Sequence, residues 1–158
     1  METAKNALDQ ALLQAQAAIP GIGKDAQNEH RRYDYTSAEH MLEVCRTVLH
    51  EHGLVAVQDA WEPVGAFSFE VPVSGEAMVG MIAVTFRLSH AASGEERVSR
   101  MAWPVVVSRG RPHDKALAAS VTVSWTYYLR GLLALPRLEG GDVEIVTGPN
   151  PRRQKRVE

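Results

Sequence analysis

Residues 114–135 read DKALAASVTVSWTYYLRGLLAL, a run that opens on an acid and a base and holds no helix breaker before Gly131. At 100° per residue, Leu117, Val121, Ser124, Tyr128, Leu132 and Leu135 fall on one stripe. Lys115, Ala119, Thr122, Thr126 and Arg130 fall on the other. The spacing predicts a long two-sided helix, apolar toward a core and cationic toward solvent. Small residues separate the two cations, so an extended phosphate backbone can approach that second face closely.

Working outward, 158 residues with 45% hydrophobic content suffice for one domain with frayed ends. No apolar stretch reaches about 18 residues, so no membrane span is expected. Lys5 and Asp9 stand where a secretory signal would be apolar, and the expected location is the cytoplasm. Cys45 is the only cysteine, which excludes an intramolecular disulfide and a thiolate-only metal site. It reads as a small buried hydrophobe on a helix.

The net charge of −2 conceals an asymmetry. Between Arg97 and Arg137, seven cations (Arg97, Arg100, Arg109, Arg111, Lys115, Arg130 and Arg137) face Asp114 alone, and the C-terminus adds Arg152, Arg153, Lys155 and Arg156. Such a block points to nucleic acid, and a solvated basic face on an ordinary domain accounts for it as well.

The order of elements reads α, α, strands, α, which makes the chain α+β. Residues 3–18 form an amphipathic helix with Ala4, Leu8, Leu12, Ala15 and Ile19 on its small face, stopped by Pro20-Gly21. That face suits close packing on another helix, in the same chain or in a neighbouring subunit. Residues 20–32 read as a mobile polar loop. Thr36 and Glu39 have the spacing of a capping box, Met41, Leu42, Cys45, Val48 and Leu49 form a core stripe, and Gly53 stands at a left-handed C-cap. A strand begins at Leu54, and Gly65 to Gly75 is a turn-rich connection containing the apolar piece Phe67 to Val73. Met78 to Ser89 alternates as a strand with Ile82, Val84, Phe86 and Leu88 on one face. Ser93-Gly94-Glu95 turns it into an antiparallel partner, Arg97 to Val107, in which Pro104 marks a break or an edge. Arg109 and Arg111 beside Lys115 then make a cationic lip where helix-start amides add partial positive charge. A polar loop with solvated arginines reads the same way.

The order of these segments resembles the ERF (essential recombination function) family of phage single-strand annealing proteins. Tyr33-Asp34-Tyr35 before a capped helix that ends in His52-Gly53-Leu54 resembles that family's Tyr-x-Tyr, helix, "HGL" opening. Leu88-Ser89-His90 with Ser93-Gly94-Glu95 resembles its strand and turn, and Ala119 to Thr122, Tyr127 and Gly131 to Leu135 resemble its long helix. The resemblance runs from Tyr33 to Asp142. Where the family carries Tyr-x-Arg-Arg-Tyr, this chain has Val123-Ser124-Trp125-Thr126-Tyr127. The resemblance implies an annealing-recombinase-like core in which an antiparallel sheet of three or more strands is backed by helices. It implies ATP-independent coating of single-stranded DNA by rings or filaments, and pairing of complementary strands in the bacterial host cytoplasm. A partner exonuclease or a host single-strand-binding protein would fit beside it. The corresponding division is a helix and loop at 1–32, a core at 33–142 and a basic tail at 143–158, expected to be disordered.

Holding a single strand needs cations for the backbone and aromatic platforms for bases. The candidate phosphate contacts are Arg31, Arg32, Arg97, Arg100, Arg109, Arg111, Lys115 and Arg130, with the Thr122 and Thr126 hydroxyls along the helix. Tyr33, Tyr35, Trp103, Trp125 and Tyr127 are candidate platforms and equally candidate core residues, whereas Tyr128 belongs to packing. Gly21-Ile22-Gly23-Lys24 lacks the second half of a phosphate-binding loop, so no nucleotide cofactor is expected. His50 and His52 point apart on a helix, no HExxH or CxxC occurs, and no metal site or catalytic residue is expected. Two other readings remain at this point. One is a metal-dependent nuclease using Asp59, Glu62, Glu70 and Glu76. The other is a scaffold that self-associates through its first helix and does not touch DNA.

Overall fold

The computed structural model describes residues 6–24, 26–28 and 33–135. Its elements are α1 (Ala7–Ala18), β1 (Ala26–Asn28), β2 (Tyr33–Tyr35), α2 (Ala38–Glu51), β3 (Leu54–Val64), β4 (Glu76–His90), β5 (Glu96–Ser108) and α3 (His113–Leu132). The expected α+β class holds. An antiparallel sheet ordered β3-β4-β5 carries the three helices on one face, with the long helix last.

Alternation in β4 sets the layers. Ile82, Val84, Phe86 and Leu88 point into the core, where Phe86 lies parallel to Tyr128 (ring centroids 4.3 Å) and to Trp125 (5.5 Å) of α3. The opposite sheet face carries no helix among the described residues. There Arg87 stands in register between Val57 and Val98, both exposed, and bonds Asp59 at 2.6 Å. The register shifts at Asp59, and that bulge brings its carboxylate to Arg87. Pro104 pairs with Met81 inside β5, an edge strand, so it marks an edge and no break.

Three local expectations are corrected. Residues 20–32 are not wholly loop, because β1 pairs with β2 in a short antiparallel hairpin. The cap of α2 is Ser37, whose hydroxyl accepts the His40 amide at 3.2 Å, while the Thr36 hydroxyl instead donates to the Gly23 carbonyl. Gly53 does take the left-handed conformation, with φ of 69°. The third correction concerns the decisive helix. Ala116, Ser120, Ser124, Tyr128 and Leu129 are the buried set of α3, and Leu117, Val121, Trp125, Leu132 and Leu135 pack only partly against the core. Small side chains every fourth residue let the helix backbone approach the sheet. The Gln58 amide reaches the Val121 carbonyl at 2.9 Å, and the Ser120 hydroxyl lies 3.0 Å from the Pro104 carbonyl.

The small face of α1 is used inside the chain, where Leu8, Ala11, Leu12 and Ala15 join the core. Asn6 supplies no side-chain cap, and the first turn of α1 is met by Glu95, whose carboxylate accepts the Leu8 amide at 2.8 Å. The Ser93-Gly94-Glu95 turn thus caps a helix that precedes it by more than eighty residues. Cys45 is buried, and burial pushes its thiol up to about 11 against a smaller opposing pull from Arg130. Burial likewise raises the Tyr128 phenol, with Arg97 pulling the other way, and the Tyr128 hydroxyl is buried without a hydrogen-bond partner among the described residues. Tyr128→Phe is therefore expected to leave stability unchanged or raise it by up to about 1 kcal/mol, read as the midpoint of thermal unfolding.

Candidate nucleic-acid interface

The structure sorts the proposed contacts into three groups. Arg109, Arg111 and Lys115 are exposed together where β5 passes into α3. Their turn is closed by paired Ser108 and Arg111 backbone bonds of 3.1 and 3.0 Å, which hold the Arg109-Gly110 tip outward. Thr122 is exposed on the Lys115 face about two turns along the same helix, with its hydroxyl donating to the Ala118 carbonyl.

A second group turns inward or away. Thr126 and Arg130 are half-buried, and Leu129 between them is buried. The Arg130 charge is felt at the Cys45 thiol of α2, so the far end of the predicted cationic stripe lies on the side of that helix. Lys115 and Arg130 are fifteen residues apart, about 22 Å along a helix, and only the Lys115 half of that stripe faces solvent. Arg97 pairs with Asp9 of α1. Arg100 lies across from Thr85 on the helix-free sheet face and pairs with Glu62. These two arginines occupy opposite faces of one strand and do not join the lip. Both are exposed pairs, worth little to stability.

The third group is not described. Arg31 and Arg32 lie outside the described residues, as does the tail, and Tyr33 is placed only as backbone of β2. Among the other aromatics, Trp125 stacks inward on Phe86, in the very segment where the family's arginines are missing. Trp103 holds Tyr127 at 4.9 Å between centroids, leaving Tyr127 40% exposed.

One aromatic was missed by sequence reasoning. Phe69, in the connection from β3 to β4, lies 5.9 Å from the His113 ring and is 85% exposed. The sequence holds no signal that separates it from Phe67, since residues two apart on an extended chain face the same way.

The acidic residues of the nuclease reading are otherwise engaged or dispersed. Asp59 pairs with Arg87 and Glu62 with Arg100, and among the described residues no three His, Cys, Asp or Glu converge on a common point. A cleft of about 470 Å³ between α2 and α3 is lined by Glu39, Glu43, Arg46, His50, Ala56 and Trp125, and its paired glutamates disfavour phosphate. No described helix is long and apolar enough to cross a membrane.

The family model described as the ERF superfamily matches residues 8–145, most of the chain. The chain belongs to the ERF superfamily. None of the curated proteins compared matches it. The ERF match begins within α1, which the motif resemblance left out, and the Glu95 cap explains why α1 belongs to the domain. In this ERF chain, then, the Ser93-Gly94-Glu95 turn holds α1 to the sheet, and Arg109, Arg111 and Lys115 lie at the other end of the hairpin.

Proposed function

We propose that this ERF-superfamily protein binds single-stranded DNA and anneals complementary strands without ATP or enzymatic turnover, in phage-type recombination. The observation that carries the reading is the joint exposure of Arg109, Arg111 and Lys115 on a chain whose family is recombinational. Annealing is downhill, because stacking in the product duplex supplies the free energy. The protein has only to concentrate and extend the strands.

One domain covers few nucleotides, so the protein works as a homo-oligomer, a ring or a filament. Residues 3–19 and the sheet edge near Pro104 are the contacts the sequence suggests between copies; since the small face of α1 is spent within the chain, the helix-free sheet face takes its place beside that edge. Val55, Val57, Val64 and Val98 are exposed there, and the arginines among them are already neutralised by Asp59, Glu96 and Glu62. A second copy meets apolar surface on that face with little opposing charge. A partner exonuclease or host single-strand-binding protein completes the setting proposed for it.

The test mixes the purified protein with complementary oligonucleotides, with and without nucleotide and Mg²⁺. Duplex formation that needs neither is the expected result. Cleavage would favour the nuclease, and inertness the scaffold.

A further inference from the structure

We propose that Phe69, seated on the His113 imidazole, is a stacking platform for a nucleobase of a single strand whose phosphates lie on Arg109, Arg111 and Lys115. This rests on the single-strand binding proposed above and adds to it a base-contacting site.

The platform is built, not merely exposed. Phe67, two residues earlier, lies against Gly80 of β4, where an added Cβ would come within 2.8 Å of three ring atoms. The Ser68 amide donates to the Val79 carbonyl at 2.7 Å, and His113 Nε2 lies 2.9 Å from the Ser68 carbonyl. A carbonyl only accepts, so Nε2 carries the hydrogen, and the contact ties the connection to the first residue of α3. Two anchors on β4 and one on α3 thus fix the backbone immediately before Phe69. Its ring inclines 30° to the imidazole and keeps 85% of its surface in water. The backbone that carries this apolar ring is fixed before any ligand arrives, which lowers the cost of stacking on it.

Charge alone does not hold a strand here. Glu70 follows Phe69, Asp114 follows His113, and Glu76 pairs in register with Ser108 beside the lip. Three carboxylates therefore border three cations. The long Arg and Lys side chains reach phosphate past the shorter acids, and the rest of the affinity has to come from a contact that is not Coulombic. Base stacking is worth about 1–3 kcal/mol per base and tolerates any sequence.

The experiment uses the full chain and two probes of equal length: oligothymidine, and an abasic oligomer with the same phosphates and no bases. Phe69→Ala is expected to weaken oligothymidine binding about tenfold and leave abasic binding unchanged, while Phe69→Trp retains both. Equal binding of both probes by wild type and Phe69→Ala overturns the platform alone. So does an equal loss on both probes, which would make Phe69 a support for the lip. A changed solution mass with unchanged oligothymidine affinity per protomer also overturns it, by assigning the ring to a contact between copies. Failure of the wild-type protein to bind either probe would instead remove the single-strand reading together with its platform.

Discussion

Phe86→Ala is expected to cost about 3–5 kcal/mol and to leave the domain largely unfolded at physiological temperature. Phe86 has no exposed surface, and it joins the central strand to α3 through two ring contacts. Its ring lies within 8° of parallel to Trp125 and within 6° of parallel to Tyr128, so truncation removes two ring contacts as well as buried area. The cavity cannot close easily. Ser124, immediately before Trp125, is itself fully buried and held by its own hydrogen bond to the Val121 carbonyl. Urea unfolding followed by circular dichroism measures the loss, and Phe86→Leu should recover more than half of it because most of the volume returns. A cost below about 1 kcal/mol would mean that α3 is not anchored through this stack.

The elements that were legible in the sequence are those whose pattern is local. The alternation of Ile82, Val84, Phe86 and Leu88 and the turn at Ser93-Gly94-Glu95 delivered the hairpin, and Gly53 delivered the end of α2. The rotation of α3 was not legible, because hydropathy ranks Leu117 and Val121 above Ala116 and Ser120, whereas the sheet selects the side that lets the backbone come close. The small residues read as an approach for phosphate, Ala119, Thr122 and Thr126, are not the ones that meet the sheet, which are Ala116, Ser120 and Ser124. β1 and β2 escaped notice because Ala26-Gln27-Asn28 has no alternation to see. In β3, Pro63 and the acids at 59 and 62 hid a strand that runs on to Val64.

The site divides along the same line. Arg109, Arg111 and Lys115 are close in sequence and came out together. The fates of Arg97 and Arg100 were set by Asp9 and Glu62, which lie 88 and 38 residues away along the chain. No count of local charge foresees such partners. The anchoring of Phe67 on Gly80, which leaves Phe69 outside, likewise depends on a contact between a connection and a strand that only the fold creates.

Changing Arg109, Arg111 and Lys115 together to Ala is expected to have the largest effect on binding. All three are exposed and make no ion pair among the described residues, so their removal should leave stability within about 0.5 kcal/mol of wild type. Their loss does more than delete three attractions. It leaves Glu70, Glu76 and Asp114 uncompensated, turning a balanced end of the molecule into one that repels phosphate. Single-strand affinity should fall at least a hundredfold at low ionic strength. Each phosphate contact contributes about 0.7 to the slope of log K against log salt, so the slope should flatten by about 2. The salt titration is the sharper readout. A variant that binds weakly yet keeps the wild-type slope has lost something other than counterion release, and the phosphates then lie elsewhere on the protein. A flattened slope with annealing abolished, and with the Phe86 stack intact by circular dichroism, places the strand at the start of α3.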